Sequence, residues 1–108
     1  MRVLVFDTET TGLPTDRNAS IYDTSKWPYI LQLSYIIYDT DRNAIIRYVD
    51  CIINVPEDVV ITEGSTKIHG ITRKMSTQQG IPIVDALRDF DCWVKGTDLI
   101  VGHNISFD

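Results

Sequence analysis

The chain has 108 residues, 44% of them hydrophobic and 23% charged, a composition that suits one small domain with a modest core. Its net charge of -5 excludes a protein that grips nucleic acid with a broad basic surface, because such binding neutralises phosphates with Lys and Arg. No apolar run approaches the roughly 20 residues of a membrane span, and Met1 leads into strand-like sequence rather than a basic, apolar leader. No membrane partner and an intracellular setting, cytoplasmic or nuclear, are therefore expected.

An acidic chain can still act on nucleic acid when its carboxylates hold divalent cations, which turn the acidic patch into one that attracts phosphate. Cys51 and Cys92 lie too far apart for a zinc knuckle and are too few for a secreted disulfide framework. Both are expected to be reduced and in the core. The two Asn-x-Ser matches, at Asn18 and Asn104, read as chance occurrences of a short pattern.

Residues 2–6, Arg-Val-Leu-Val-Phe, form a β-branched and aromatic run that is apolar on both faces, as a buried central strand is. The run leads into Asp7-Thr8-Glu9-Thr10-Thr11-Gly12-Leu13-Pro14, where Gly and Pro end regular structure. Residues 15–28 are polar and without period, a long loop with Trp27 near its end. In residues 30–38, Leu31, Leu33, Tyr35 and Ile37 alternate with Gln32 and Ser34, the pattern of a half-buried strand. A turn at residues 39–43 and a second β-branched run at 45–53 complete a hairpin.

Residues 56–80 carry Gly64, Gly70 and Gly80 and no strand pattern, so one or two short helical turns are expected around residues 65–69 and after Thr72. Lys67, Arg73 and Lys74 in this stretch read as an ordinary solvated charged face. Residues 82–95 place Ile83, Leu87, Phe90 and Val94 at helical spacing, with Pro82 suited to the first turn and Gly96 to the stop. Trp93 falls beside that apolar face and is assigned to the core. Leu99-Ile100-Val101 is a short buried strand ended by Gly102, and residues 106–108 begin a helix. Strand, hairpin, helix, strand is an α/β order, a sheet covered by helices.

Asp7 and Glu9 stand two apart at the end of an apolar strand, so their side chains share one face with α-carbons roughly 7 Å apart. Repulsion between them is relieved by a cation between the two or by a proton on one. Hard divalent ions such as Mg²⁺ or Mn²⁺ suit such oxygen ligands best. A D-x-E pair alone is also what an ordinary solvated strand end looks like. Its weight comes from a second strand end, where Gly102-His103-Asn104-Ile105-Ser106-Phe107-Asp108 follows another apolar strand.

Phe6-Asp7-Thr8-Glu9-Thr10-Thr11-Gly12-Leu13 resembles the first motif of the DEDD, or DnaQ-like, 3′-to-5′ exonucleases, and His103-Asn104-Ile105-Ser106-Phe107-Asp108 resembles the second. Ile68-His69-Gly70-Ile71-Thr72 resembles the His-Gly-Ile segment between those motifs in proofreading members. The resemblance implies a ribonuclease H-like mixed sheet flanked by helices. Residues 1–108 would form one partial exonuclease domain, with motifs at 7–13, 68–72 and 103–108 and the C-terminal part missing.

The resemblance further implies that Asp7, Glu9 and Asp108 are catalytic and bind the metal, two Mg²⁺ or Mn²⁺ ions in the complete enzyme. Thr8, Thr10, Leu13, His69 and Asn104 would contact substrate, the single-stranded 3′ end of DNA or RNA, and a polymerase would be a partner. The expected reaction releases nucleoside monophosphates by two-metal-ion hydrolysis. The family's fourth carboxylate, in a His- or Tyr-containing third motif, would lie beyond Asp108, so these 108 residues are expected to be inactive. Two other readings stand beside this one. The first is an exonuclease-like binding module without hydrolysis. The second is a haloacid-dehalogenase-type phosphotransferase with Asp7 as nucleophile, which leaves residues 103–108 unexplained.

Overall fold

The computed structural model describes residues 1–12, 18, 20, 22 and 28–102. Four strands, β1 (Arg2–Thr10), β2 (Ile30–Asp39), β3 (Ala44–Ile52) and β4 (Leu99–Gly102), form one mixed sheet in the order β3-β2-β1-β4. Helices α1 (Glu63–His69), α2 (Arg73–Gln79) and α3 (Ile83–Val94) lie in sequence between β3 and β4. β2 runs antiparallel to both β1 and β3, whereas β4 is parallel to β1. Parallel neighbours need a crossover, and the three helices provide it.

The period-2 pattern of β2 decides which face is the core. Leu31, Leu33, Tyr35 and Ile37 are all buried, and across the register they meet Leu4 and Phe6 of β1. Each such aliphatic side chain contributes about 1.5–3 kcal/mol relative to exposure. α3 closes this face through Phe90, whose ring stands edge-on to Phe6 at 5.6 Å and to Tyr35 at 5.2 Å, a favoured arrangement of ring quadrupoles. Trp93 packs against the same cluster. The stripe is rotated slightly from the one expected: Ala86 is buried, while Leu87 is 45% exposed on its flank.

Three further expectations need correction. β1 is not buried on both faces: Leu4 and Phe6 are covered, but Val5 on the other side is exposed, as are Leu99, Ile100 and Val101 of β4. Cys51 is half-buried, but Cys92 is exposed, because it lies outside the stripe that α3 turns to the sheet. Arg73 is not a solvated charge. Its guanidinium donates to the carbonyls of Val55 (3.2 Å), Pro56 (3.1 Å) and Val59 and so ties down the loop after β3.

The two short helices begin where side-chain caps allow. Thr62 accepts from the Ser65 N–H at the start of α1, and Thr72 accepts from the Met75 N–H at the start of α2, each satisfying a donor the first turn leaves open. Gly70 adopts φ 76° where α1 ends, a left-handed cap natural to glycine. Ser76 of α2, fully buried, donates to the Ile53 carbonyl (2.7 Å) and accepts from the Val55 N–H (3.1 Å). It clamps the chain leaving β3 to the helix, and Ile53 then pairs with Ile81 in an isolated parallel bridge.

Candidate metal centre

Leu4 and Phe6 point to α3, so strand alternation turns Val3, Val5, Asp7 and Glu9 to the opposite face. Asp7 is exposed and Glu9 half-buried. Both acids project from the last turn of pairing of a central strand, with Asp7 opposite Ser34 and Glu9 opposite Gln32 on β2. One carboxylate oxygen of Asp7, Oδ1, accepts from the Thr8 N–H at 3.0 Å. The register slips between Glu9 and Thr10, which ends the regular ladder just past the pair.

Backbone beyond the acids is held by its own polar groups. Thr10 Oγ1 donates to the Gly12 carbonyl at 2.7 Å. The Thr11 N–H donates to the Tyr29 carbonyl at 3.0 Å, and the Tyr29 N–H donates to Thr11 Oγ1 at 3.1 Å. This reciprocal pair ties Thr11 to Tyr29 and fixes the direction in which β1 leaves the sheet. Thr8 has the parity of Phe6 and so lies toward the helix-covered side, opposite Leu33.

On the other side of β1, β4 pairs in parallel register as far as Phe6 and Gly102. The strand preceding the second motif thus ends level with the point where β1 reaches Asp7. Asp108, Leu13 and Asn104, the remaining expected site residues, lie outside the described residues, as do His103 and Trp27. Among the described residues, no three His, Cys, Asp or Glu side chains form a group able to hold a metal ion. Asp7 and Glu9 are the two that share a face at this strand end, and their hard oxygen donors fit part of the shell of Mg²⁺ or Mn²⁺.

His69 closes α1. Its Nδ1 accepts from the Ile71 N–H at 2.9 Å, so the ring hydrogen of the neutral imidazole sits on Nε2. That Nε2 is buried and has no hydrogen-bond partner among the described residues. A buried donor without an acceptor is costly, which marks the histidine as unsatisfied in this state.

The alternation in β2 flagged Gln32 and Ser34 as facing away from the core, but sequence reasoning passed over Asp50. In the sheet, Gln32 Nε2 and Ser34 Oγ both donate to Asp50 Oδ1, at 2.7 and 2.8 Å. Asp50 lies opposite Ser34, which lies opposite Asp7. The signal was the shared parity of the three strands, readable only once the hairpin register is known.

The RNase_T exonuclease family matches residues 4–108, a span that includes both strand ends. This chain belongs to that family. Its members are DnaQ-like, DEDD-type exonucleases, and the match takes in residues 103–108, which the phosphotransferase alternative left unexplained. The chain is 34% identical over 105 residues to DNA polymerase III PolC-type of Bacillus subtilis and 30% identical over 105 residues to the corresponding protein of Oceanobacillus iheyensis. In each case 97% of this chain is covered but only 6% of the relative, so the chain spans a small part of these relatives' length.

Among solved structures, exonuclease I from Methylocaldum szegediense superposes with a TM-score of 0.73 at 21% identity, covering 95% of this chain and 20% of that one. E. coli exonuclease I in complex with a dA16 oligonucleotide gives 0.74 at 18% identity, with the same coverage. These likenesses establish the fold: an α/β, ribonuclease H-like mixed sheet. As a member of this exonuclease family, the chain has the general character of a nuclease domain, from a family that uses divalent metal ions.

Proposed function

We propose that the chain is part of a metal-dependent 3′-to-5′ exonuclease domain that releases nucleoside monophosphates from nucleic-acid 3′ ends, with Asp7, Glu9 and Asp108 as its metal-binding and catalytic carboxylates. The observation that carries this is the pair Asp7 and Glu9 on one face of β1, at the strand end where β4 delivers the chain into the second motif. Held by these carboxylates, divalent ions would supply activation of a water and positive charge for the leaving 3′-oxygen. The chain's own part is to hold the ligands rigid. β1 is paired with β2 through both acids and with β4 as far as Phe6, and the Thr11–Tyr29 bonds fix the backbone just beyond them.

His69, with Leu13, Thr8, Thr10 and Asn104, contacts the terminal nucleotide in this reading. Support for His69 is that its Nε2 donor lacks an acceptor among the described residues; the atom is buried, so a substrate oxygen reaches it only by displacing what covers it. Substrate is single-stranded, in keeping with the oligonucleotide complex of an exonuclease I, and the PolC-type relatives support a polymerase context. The setting is intracellular. The segments at 7–13, 68–72 and 103–108 serve as the motifs of one exonuclease domain in this reading.

The test is Mn²⁺ binding by the chain, followed by electron paramagnetic resonance of the free ion, beside hydrolysis of 5′-labelled DNA and RNA oligonucleotides. Asp7→Asn, Glu9→Gln and Asp108→Asn should each weaken Mn²⁺ binding by about 10-fold or more. Cleavage should shorten the 5′-labelled strand stepwise from its 3′ end. Unchanged Mn²⁺ affinity in Asp7→Asn overturns the proposal. Binding of single strands without any Mn²⁺ site favours the binding module instead.

A further inference from the structure

The face that bears Asp7 and Glu9 carries a polar row across three strands. Asp7 stands opposite Ser34, Ser34 opposite Asp50, and Glu9 opposite Gln32. Ser34 and Gln32 give their hydrogens to one oxygen of Asp50, at 2.8 and 2.7 Å. Two strand spacings of about 4.8 Å separate the backbones of Asp50 and Asp7, and Asp50 joins no metal-sized group of acids among the described residues. Asp50 therefore stands outside the reach of a direct ligand.

We infer that Asp50 is a positioning residue for the Asp7–Glu9 metal centre, acting through Ser34 and Gln32; this rests on the metal-centre reading above. By accepting both hydrogens, Asp50 leaves the hydroxyl oxygen of Ser34 and the amide carbonyl of Gln32 as acceptors in the rows beside the two acids. A small, hard cation keeps several of its waters, whose hydrogens require acceptors, and outer-sphere partners of this kind orient a metal's ligands. Without Asp50, either side chain is free to turn a donor toward the site instead. The competing account is that Asp50 merely adds negative charge. At that separation salt screens an exposed charge strongly, whereas a hydrogen-bonding effect survives salt.

The probe is Mn²⁺ alone, its dissociation constant measured for the whole chain in low and in 0.5 M KCl (about 0.5 M shortens the screening length to a few Å). Asp50→Ala should raise the constant about 10-fold in both, a typical outer-sphere loss. Asp50→Asn, whose amide oxygen accepts both bonds, should stay within about twofold. If Asp50→Ala does not fold by circular dichroism, Ser34→Ala and Gln32→Ala serve, each expected to weaken binding severalfold. The inference is overturned if Asp50→Ala (or, in its place, both substitute variants) leaves Mn²⁺ affinity unchanged while Asp7→Asn abolishes it. It is also overturned if Asn and Ala weaken binding equally and only in low salt. Asp7→Asn without effect would instead remove the metal centre itself.

Discussion

The Tyr35 hydroxyl donates to the carboxylate of Asp89, joining the centre of β2 to the middle of α3. Arg47 of β3 approaches the same carboxylate at 3.9 Å and lays its guanidinium over Trp93 at 5.8 Å. Burial, then the Asp89 bond and charge, push the Tyr35 hydroxyl above its ordinary value. A raised folded-state value means the neutral phenol is favoured on folding. Its stabilisation is fully present below about pH 10, the unfolded value, and is lost as pH climbs above it. Tyr35→Phe should cost about 1 kcal/mol at neutral pH, and its urea midpoint should fall less than the parent's between pH 9 and pH 11.

Gly80 and Gly70 predict unequal sensitivities to alanine. A β-carbon at Gly80 would sit against the Ser76 carbonyl, 2.5 Å from the Asn54 nitrogen and 2.7 Å from the Ile53 carbonyl carbon. All of these are backbone atoms in the Ile53–Ile81 bridge region, which cannot yield cheaply. Gly80→Ala should destabilise by about 3 kcal/mol. At Gly70 nothing lies within 4 Å of the added carbon, and the cost is the left-handed backbone alone, about 1 kcal/mol. Thermal unfolding of the two variants side by side checks the order.

Ser76 offers a third case, because its hydroxyl serves as both donor and acceptor in a fully buried place. Ser76→Ala leaves the Val55 N–H and a lone pair of the Ile53 carbonyl unsatisfied. The expected loss is about 2 kcal/mol, and amide exchange at Val55 should rise more than at Leu33. Ser76→Thr, which keeps the hydroxyl, adds a methyl where there is no space and should cost about as much. A variant unfolding like the parent in both substitutions would remove the clamp.

How much of this was legible differs by element. The alternation of β2 named its buried residues because one face of that strand is covered and the other is not. Asp7 and Glu9 stood out because acids directly after an apolar run are costly without a partner. α3 was located, yet its stripe was misjudged at one position, since the small Ala86 is buried in the core cluster and sequence period alone weights Leu87 above it. Cys92 lies far from the stripe in either position, and residue type alone suggested the core for it. Asp50 stayed hidden because the hairpin register shifts between Ile37 and Tyr38, and a one-residue slip turns every β3 side chain to the other face. Arg73 looked like surface charge because carbonyl partners in an irregular loop leave no pattern.

The cysteines give a chemical readout of which side α3 turns to the sheet. Cys92 is exposed, whereas Cys51 is half-buried on β3, with burial and then the charges of Asp50 and Asp89 raising its thiol above the ordinary value. The thiolate is the reactive form. A thiol-specific chromogenic reagent at pH 8 should therefore label Cys92 first and Cys51 slowly. Cys92→Ser should abolish the fast phase, and loss of the slow phase instead would mean that α3 is turned the other way.

His69 separates a structural bond from a binding one within a single ring. Nδ1 caps the turn through the Ile71 N–H, and the carbonyl oxygen of an asparagine can stand in for it. Nothing in asparagine reproduces the Nε2 hydrogen in its buried position. His69→Asn should hold stability within about 1 kcal/mol yet weaken binding of a single-stranded oligonucleotide about 10-fold, as when one buried polar contact to a ligand is lost. His69→Leu loses both, so it should be less stable than His69→Asn and bind no better. If His69→Asn binds the oligonucleotide as the parent does, the histidine serves the α1 turn alone, and the buried donor is an unsatisfied group the fold tolerates.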